Sequence, residues 1–242
     1  MDGKQAGNGK VDANRKASGR PKYVRKFVNQ RGIRDLFHFT RVENIESIMS
    51  RGLVSVSELR DREVPFVASD SERRDGRLEG VSLSVSFPNW RMFYNKRVNS
   101  DAPTHWVVLS VRPSVLWTHR VEFYTYNAAS EGMIDSDRST HIRSSAFREL
   151  FAGEYRMTEK GSPLPKRFPT QNQAEVLVFD PILPRDFQYC VVGTEKLTRR
   201  ISTVAPDLEV RLVRLRANGD AIDSGVFSTL DYFVTHKGNT HG

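Results

Sequence analysis

The sequence predicts a single α+β domain rich in short strands, and three observations predict it. Apolar residues gather in short β-branched or aromatic runs at 36–39, 81–87, 106–111, 176–179, 189–193 and 209–215, bounded by Pro, Gly, Asn or Asp. Helical spacing is brief, clearest over 41–50, where Val42, Ile45, Ile48 and Met49 recur on one side. The 242 residues contain no internal repeat and suit one domain over 31–235, with a basic arm at 1–30 and a tail at 236–242.

Taken in order, residues 1–30 carry many Lys and Arg against only Asp2 and Asp12, with almost nothing apolar before Tyr23. Such a stretch cannot bury enough surface to offset its ordering entropy and reads as a disordered arm. Its Gly19-Arg20-Pro21-Lys22 resembles the core of a minor-groove hook; a solvated tail is the plainer reading, with non-specific phosphate contact as the functional one. Leu36-Phe37-His38-Phe39 reads as a strand. Thr40 with Glu43 three residues on reads as a capping box that starts a helix, and Gly52 closes it. His38 and Thr40 then fall at a strand-to-helix junction, where helix N-termini favour anions.

Residues 54–80 are charged and irregular, with an exposed loop at 69–76. From 81 to 87 the alternation is strict, with Val81, Leu83, Val85 and Phe87 inward and Ser82, Ser84 and Ser86 outward. Pro88-Asn89 ends this strand, and the aromatic cluster Trp90, Phe93 and Tyr94 follows. Residues 127–145 read as polar loop, 147–151 as a short helix and 153–170 as a long loop. An apolar patch at 227–234 comes last.

Composition narrows the function. Fourteen Phe, seven Tyr and three Trp supply a core despite an apolar fraction of 38%. No apolar run spans a bilayer and no signal-peptide pattern is seen, so the expectation is a cytoplasmic chain without a membrane partner. The sole cysteine, Cys190, excludes an internal disulfide and reads as a small core residue. The six histidines have no metal-ligand spacing, so no metal is expected. A net charge of +8 and a pI near 9.7 favour a polyanionic partner or an anionic cofactor.

One carboxylate needs explaining. Glu175 precedes the apolar run Val176-Leu177-Val178-Phe179, at the edge of a buried strand, where an unpartnered charge is costly. A solvated strand end or a structural ion pair would account for it by itself. Two further blocks change the weighing: His38-Phe39-Thr40 before a short helix, and Asp70-x-x-Arg73-x-Asp75-Gly76 leading into Ser82-Leu-Ser-Val-Ser-Phe-Pro-Asn and Met92-Phe-Tyr94. Together with Asn172-Gln-Ala-Glu-Val-Leu-Val178, in this order, they resemble the DarT family of DNA ADP-ribosyltransferase toxins, over about 33–195.

The resemblance implies an ADP-ribosyltransferase fold, with two small, roughly perpendicular sheets and flanking helices around a cleft for NAD, used as co-substrate. It implies Glu175 and Arg73 as catalytic residues. It places His38, Phe39, Thr40 and Ser84 on the cofactor, and the loop with Asn172 and Gln173 on the nucleic acid; the aromatic ring of Tyr94 suits stacking on the cofactor, and the charges of Lys166 and Arg167 suit phosphates. Single-stranded DNA is the implied acceptor, with RNA as the alternative, and a non-catalytic nucleic-acid-binding domain as a weaker one. A partner antitoxin with a macrodomain is implied as well.

The chemistry suits the residues. Breaking the nicotinamide–ribose bond builds positive charge on the sugar, which a fixed carboxylate stabilises. Nicotinamide leaves neutral, so neither a metal nor a strong acid is required. A base must be unstacked to react, which suits a single strand.

Overall fold

The computed structural model describes residues 20–68, 78–134, 136–153 and 156–236. Arg73 and the rest of the 69–77 loop lie outside the described residues, as do residues 1–19 and 237–242.

Strands β1 (Leu36–Arg41), β2 (Val81–Val85), β3 (Trp106–Val111), β4 (Val121–Tyr124), β5 (Glu175–Val178), β6 (Phe187–Val192) and β7 (Glu209–Leu212) form one sheet in the order β4-β5-β2-β1-β3-β6-β7. The expectation of two separate sheets is corrected to one sheet that is nearly divided. β1 and β2 share only the pairs Leu36↔Val85 and Phe37↔Ser84. Beyond them each strand keeps its other neighbour: His38 stays opposite Leu109 in β3, and Ser82 opposite Leu177 in β5. The seam between β1 and β2 therefore opens along its length.

β4 has no counterpart among the predicted apolar runs; the other six strands lie on them, with shifted ends. β7, for example, stops at Leu212 rather than 215. Most pairings are antiparallel. β6 and β7 are parallel and joined by helix α9 (Glu195–Val204), whose first turn is capped by the Thr194 hydroxyl accepting from Leu197 N–H.

The main core lies between the sheet and a set of helices. Its buried residues include Val24 and Val28 of α1 (Arg20–Arg31), Ile45 and Ile48 of α2 (Ile45–Arg51), Leu116 of α5 (Val115–Thr118), Phe147 of α8 (Ser144–Glu149) and Ile201 of α9. The expectation of a disordered basic arm is thus corrected from residue 20 on. Residues 20–31 form a helix because Val24, Phe27 and Val28, at helical spacing, meet α5 and α8; Phe27 packs edge-on against Phe147 and Phe151.

A second apolar cluster, with Phe37, Phe93, Trp106, Val108, Val191 and Phe227, contains a buried cation. Arg97, on α4 (Trp90–Val98), is 1% exposed and donates to the carbonyls of Gly219 and Phe227. Burial lowers its pKa to about 10, so it stays charged at neutral pH, resting against Phe93 and Phe227. Cys190 is buried in β6, and its thiol is pushed up to about 12 by desolvation.

The predicted capping box does not form. β1 runs on through Arg41, a 3-10 turn covers Val42–Asn44, and α2 begins only at Ile45; neither Arg41 nor Asn44 gives a side-chain cap. The backbone at Thr40 is held in the β1–β3 ladder opposite Val107, which overrides the local signal. Gly52 does close α2, at φ 89°, and an added Cβ would lie 2.8 Å from the Ile182 carbonyl oxygen.

Candidate active site

The opened seam is a cleft of about 1180 Å³, counting its mouth. His38, Phe39 and Thr40 of β1 line one wall, and Ser82 and Ser84 of β2 with Glu175 of β5 line the other. The three serines expected to face solvent are not solvated. Ser84 is buried and Ser82 half-buried, because the polar face of β2 looks across the cleft, while Ser86, just past the strand, is buried under the loop before β5. Ser84 lines it while its Oγ accepts from Asn89 N–H, and Ser86 Oγ donates to the Arg167 carbonyl.

Glu175 is the first residue of β5, where the chain enters the sheet at the cleft edge. Each of its oxygens has a donor. Ser82 Oγ donates to Oε1, and the Ala128 backbone N–H donates to Oε2 at 2.8 Å. Opposite it on β4 is Tyr124, whose hydroxyl donates at 2.6 Å to Glu122 Oε2. Glu122 is a second carboxylate on this strand, 4% exposed, and Arg138 neutralises it through contacts of 3.0 and 2.9 Å. The acid of β4 is thus committed to an ion pair while Glu175 borders the cleft.

His38 bridges the seam. Its Nδ1 lies 2.9 Å from the Ser82 carbonyl oxygen, and because a carbonyl only accepts, Nδ1 carries the proton. Thr40 is buried and accepts from Asn44 Nδ2 at 3.0 Å. Asn44 also clasps Val67, accepting from its N–H and donating to its C=O, both at 2.8 Å. Phe66, Val67 and Ala68 are thereby fixed as part of the cleft wall.

The other expected site residues fall elsewhere. Phe39 lines the cleft but also stacks on Phe93 at 4.6 Å, so it belongs partly to the core. Tyr94 is outside the lining and is 39% exposed, with its hydroxyl 3.3 Å from Asp220. Met92 and Lys96, four residues apart on α4, supply that helix's cleft face, and Tyr94 is turned about 200° from Met92. Asn172 donates to Glu159 at 3.2 Å and, with Gln173, lies before β5 outside the cleft lining. Lys166 and Arg167 are on the same loop; Arg167 rests on the Phe168 ring, and burial lowers its pKa.

Sequence reasoning missed Asn44, Asn127, Ala128 and Glu122. The 127–145 stretch, read as loop, contains α6 (Glu131–Ile134), α7 (Arg138–His141) and the start of α8. Its first residues reach Glu175, and the segment is anchored where His141 is buried against Tyr124, with ring centroids 4.2 Å apart. A backbone donor leaves no trace in residue identity. Among the described residues no group of His, Cys, Asp or Glu could hold a metal, and no helix is long and apolar enough to cross a membrane.

Comparison with known proteins agrees with this geometry. Residues 37–222 match the family model described as ssDNA thymidine ADP-ribosyltransferase, DarT. No curated protein sequence matches significantly. Among solved structures, the fold is similar to that of Thermosipho africanus DarTG in complex with ADP-ribose, at 19% identity and a TM-score of 0.54. That match covers 78% of this chain and 51% of that one, so this chain spans about half the length of that relative. It is similar also to Thermus sp. 2.9 DarT in complex with ADP-ribosylated ssDNA, at 12% identity and a TM-score of 0.51, covering 78% of this chain and 96% of that one.

Proposed function

Because the chain belongs to the DarT family of ssDNA thymidine ADP-ribosyltransferases, we propose that its cleft holds NAD and that Glu175 drives transfer of ADP-ribose to a thymine in single-stranded DNA. The observation that carries this reading is the carboxylate of Glu175, held by donors on both oxygens at the edge of the cleft. A group fixed in this way stabilises developing charge without reorganising.

The bond between ribose C1′ and the nicotinamide nitrogen breaks, and its electron pair leaves with neutral nicotinamide. Positive charge grows on the sugar, where Glu175 stabilises it. Thymine within DNA has one ring N–H, at N3. Its proton passes to the carboxylate while N3 bonds to C1′. His38 and Thr40 hold the cofactor against the β1 wall. Arg73 is assigned as the second essential residue from the family resemblance. The loop 153–174, with Asn172, Gln173, Lys166 and Arg167, receives the DNA.

The family description names DNA, and no feature of the cleft favours RNA. An enzyme of this kind damages its own host, which supports a partner antitoxin that removes ADP-ribose.

The test is incubation with labelled NAD and single-stranded oligonucleotides with and without thymine. Wild type labels only the thymine-containing strand. Glu175→Gln, of nearly the same shape, lowers labelling by about 10²–10³-fold while melting close to wild type. Full labelling by that variant means the catalytic carboxylate is another one.

A further inference from the structure

Most arginines that meet another charge in this chain meet an acid. Arg62 pairs with Glu58, Arg91 with Glu159, Arg120 with Asp180, Arg211 with Glu209 and Arg214 with Asp223. One group does the opposite. Arg31, the last residue of α1, stacks over the Phe151 ring at 4.5 Å, and Arg156 lies over the same ring at 5.7 Å. Arg31 Nη1 also donates to the Lys166 carbonyl at 2.9 Å, next to Arg167. Arg167 in turn feels the charge of Arg34.

Arg156, Arg31, Lys166, Arg167 and Arg34 therefore make a continuous cationic band joining the end of α1 to the loop that enters β5. No carboxylate among the described residues forms an ion pair with these arginines; the acid nearest in effect is Asp35, whose carboxylate accepts from Ser110 and Gln188. Arg31 Nε and the Nη2 atoms of Arg156 and Arg167 are themselves buried and meet no acceptor among the described residues. Burial and the charge of Arg31 lower the Arg156 pKa to about 10. Holding like charges together costs free energy, and an anion lying along them removes that cost. The solvent face of α1 continues the same sign with Lys22, Arg25 and Lys26, and the helix has no acid.

We propose that this band binds the sugar–phosphate backbone of the DNA strand beside the target base, and that α1 is a DNA-binding element of the enzyme. The helix lies outside the 37–222 region matched by the family model, so the assignment comes from its own contacts. It rests on the reading of the chain as a transferase of single-stranded DNA. Planar guanidiniums on aromatic rings are preorganised to give paired donors to phosphate oxygens. Phosphate contacts fix the strand's register without reading its sequence, leaving base choice to the cleft.

The experiment measures ssDNA affinity by fluorescence anisotropy over a salt series, for the full chain. The double variant Arg31→Gln/Arg156→Gln weakens binding about tenfold or more at low salt. It also lowers the slope of log K against log salt by about 1.4, since each single-strand phosphate contact contributes about 0.7. Arg31→Lys/Arg156→Lys, which keeps both charges, retains most of the slope and covers the case where the Gln pair fails to fold. Arg120→Gln, off the band, leaves slope and affinity near wild type. An unchanged slope in the double Gln variant, or an equal drop in Arg120→Gln, overturns the proposal. If wild type itself neither binds nor modifies ssDNA, the transferase reading has failed instead.

Discussion

Glu175 shows how little a residue's identity says until its neighbours are known. By its sequence position it is a charge at a strand edge, open to a bland reading. Its donors, Ser82 Oγ and Ala128 N–H, turn it into a fixed carboxylate beside a cleft. Ser82 is thus a positioning residue, and removing its hydroxyl loosens the acid. Ser82→Ala is expected to lower kcat about tenfold or more, the effect of losing one hydrogen bond to a charged group, with KM for NAD little changed. Steady-state kinetics on a thymine-containing strand separate the two; a rise in KM at constant kcat would place Ser82 on the substrate instead. The Tyr94 correction belongs to this scale too. Aromatic character suggested stacking on a cofactor, but helix phase gives the cleft to Met92 and Lys96.

At the scale of elements, β5 is tied at both ends. Glu175 anchors its start, and Asp180 anchors its exit by accepting from Arg120 N–H at 2.6 Å and from Arg120 Nε at 2.7 Å. Although desolvation pushes the other way, these bonds and the Arg120 charge hold the Asp180 carboxyl below its usual range. A depressed folded pKa contributes stability that is present above the unfolded value, near 3.9, and is lost as pH falls through the folded pKa. Asp180→Asn should therefore cost about 1 kcal/mol at pH 7, modest because the pair is partly exposed, and almost nothing at pH 2. Denaturant melts at the two pH values check this, and an equal cost at both would show that packing, not charge, holds the exit. Helix α1 teaches the complementary lesson. Its composition is that of a disordered arm, yet Val24 and Val28 are 0% and 2% exposed because α5 and α8 offer them an apolar surface.

For the whole molecule, the feature that matters is the nearly divided sheet. Two residue pairs join β4-β5-β2 to β1-β3-β6-β7, and the gap beyond them is the cleft. A ligand touching both walls ties the halves together, and by mass action it stabilises the folded state alone. In the Glu175→Gln variant, which consumes it far more slowly, NAD at about 100-fold over its Kd should add about 2.7 kcal/mol, read as a rise in Tm. No shift at saturating NAD would remove the cofactor from this cleft. The +8 net charge also acts at this scale, drawing a polyanion toward the surface before any specific contact forms.

How much of this was legible beforehand differs by feature. Six of the seven strands were, β4 being the exception, because β-branched and aromatic runs record burial in the residues themselves. Glu175, His38 and Thr40 were singled out from the sequence too, and all three line the cleft. The capping box at Thr40 was misread because ladder pairing with β3 outweighs a local cap, and the orientation of the serines because alternation gives a face without saying what lies beyond it.

The sequence by itself determined the family and the strand-rich α+β class, and it singled out the acid at the edge of the cleft, Glu175. These are written in short-range patterns of residue type. The tertiary structure decided the single sheet with its opened seam, the Ala128 donor to Glu175, the Arg138 partner of Glu122 and the arginines gathered on Phe151. Each of these joins residues far apart in the chain through backbone groups or packing, and pairings of that kind leave no periodic mark along the sequence.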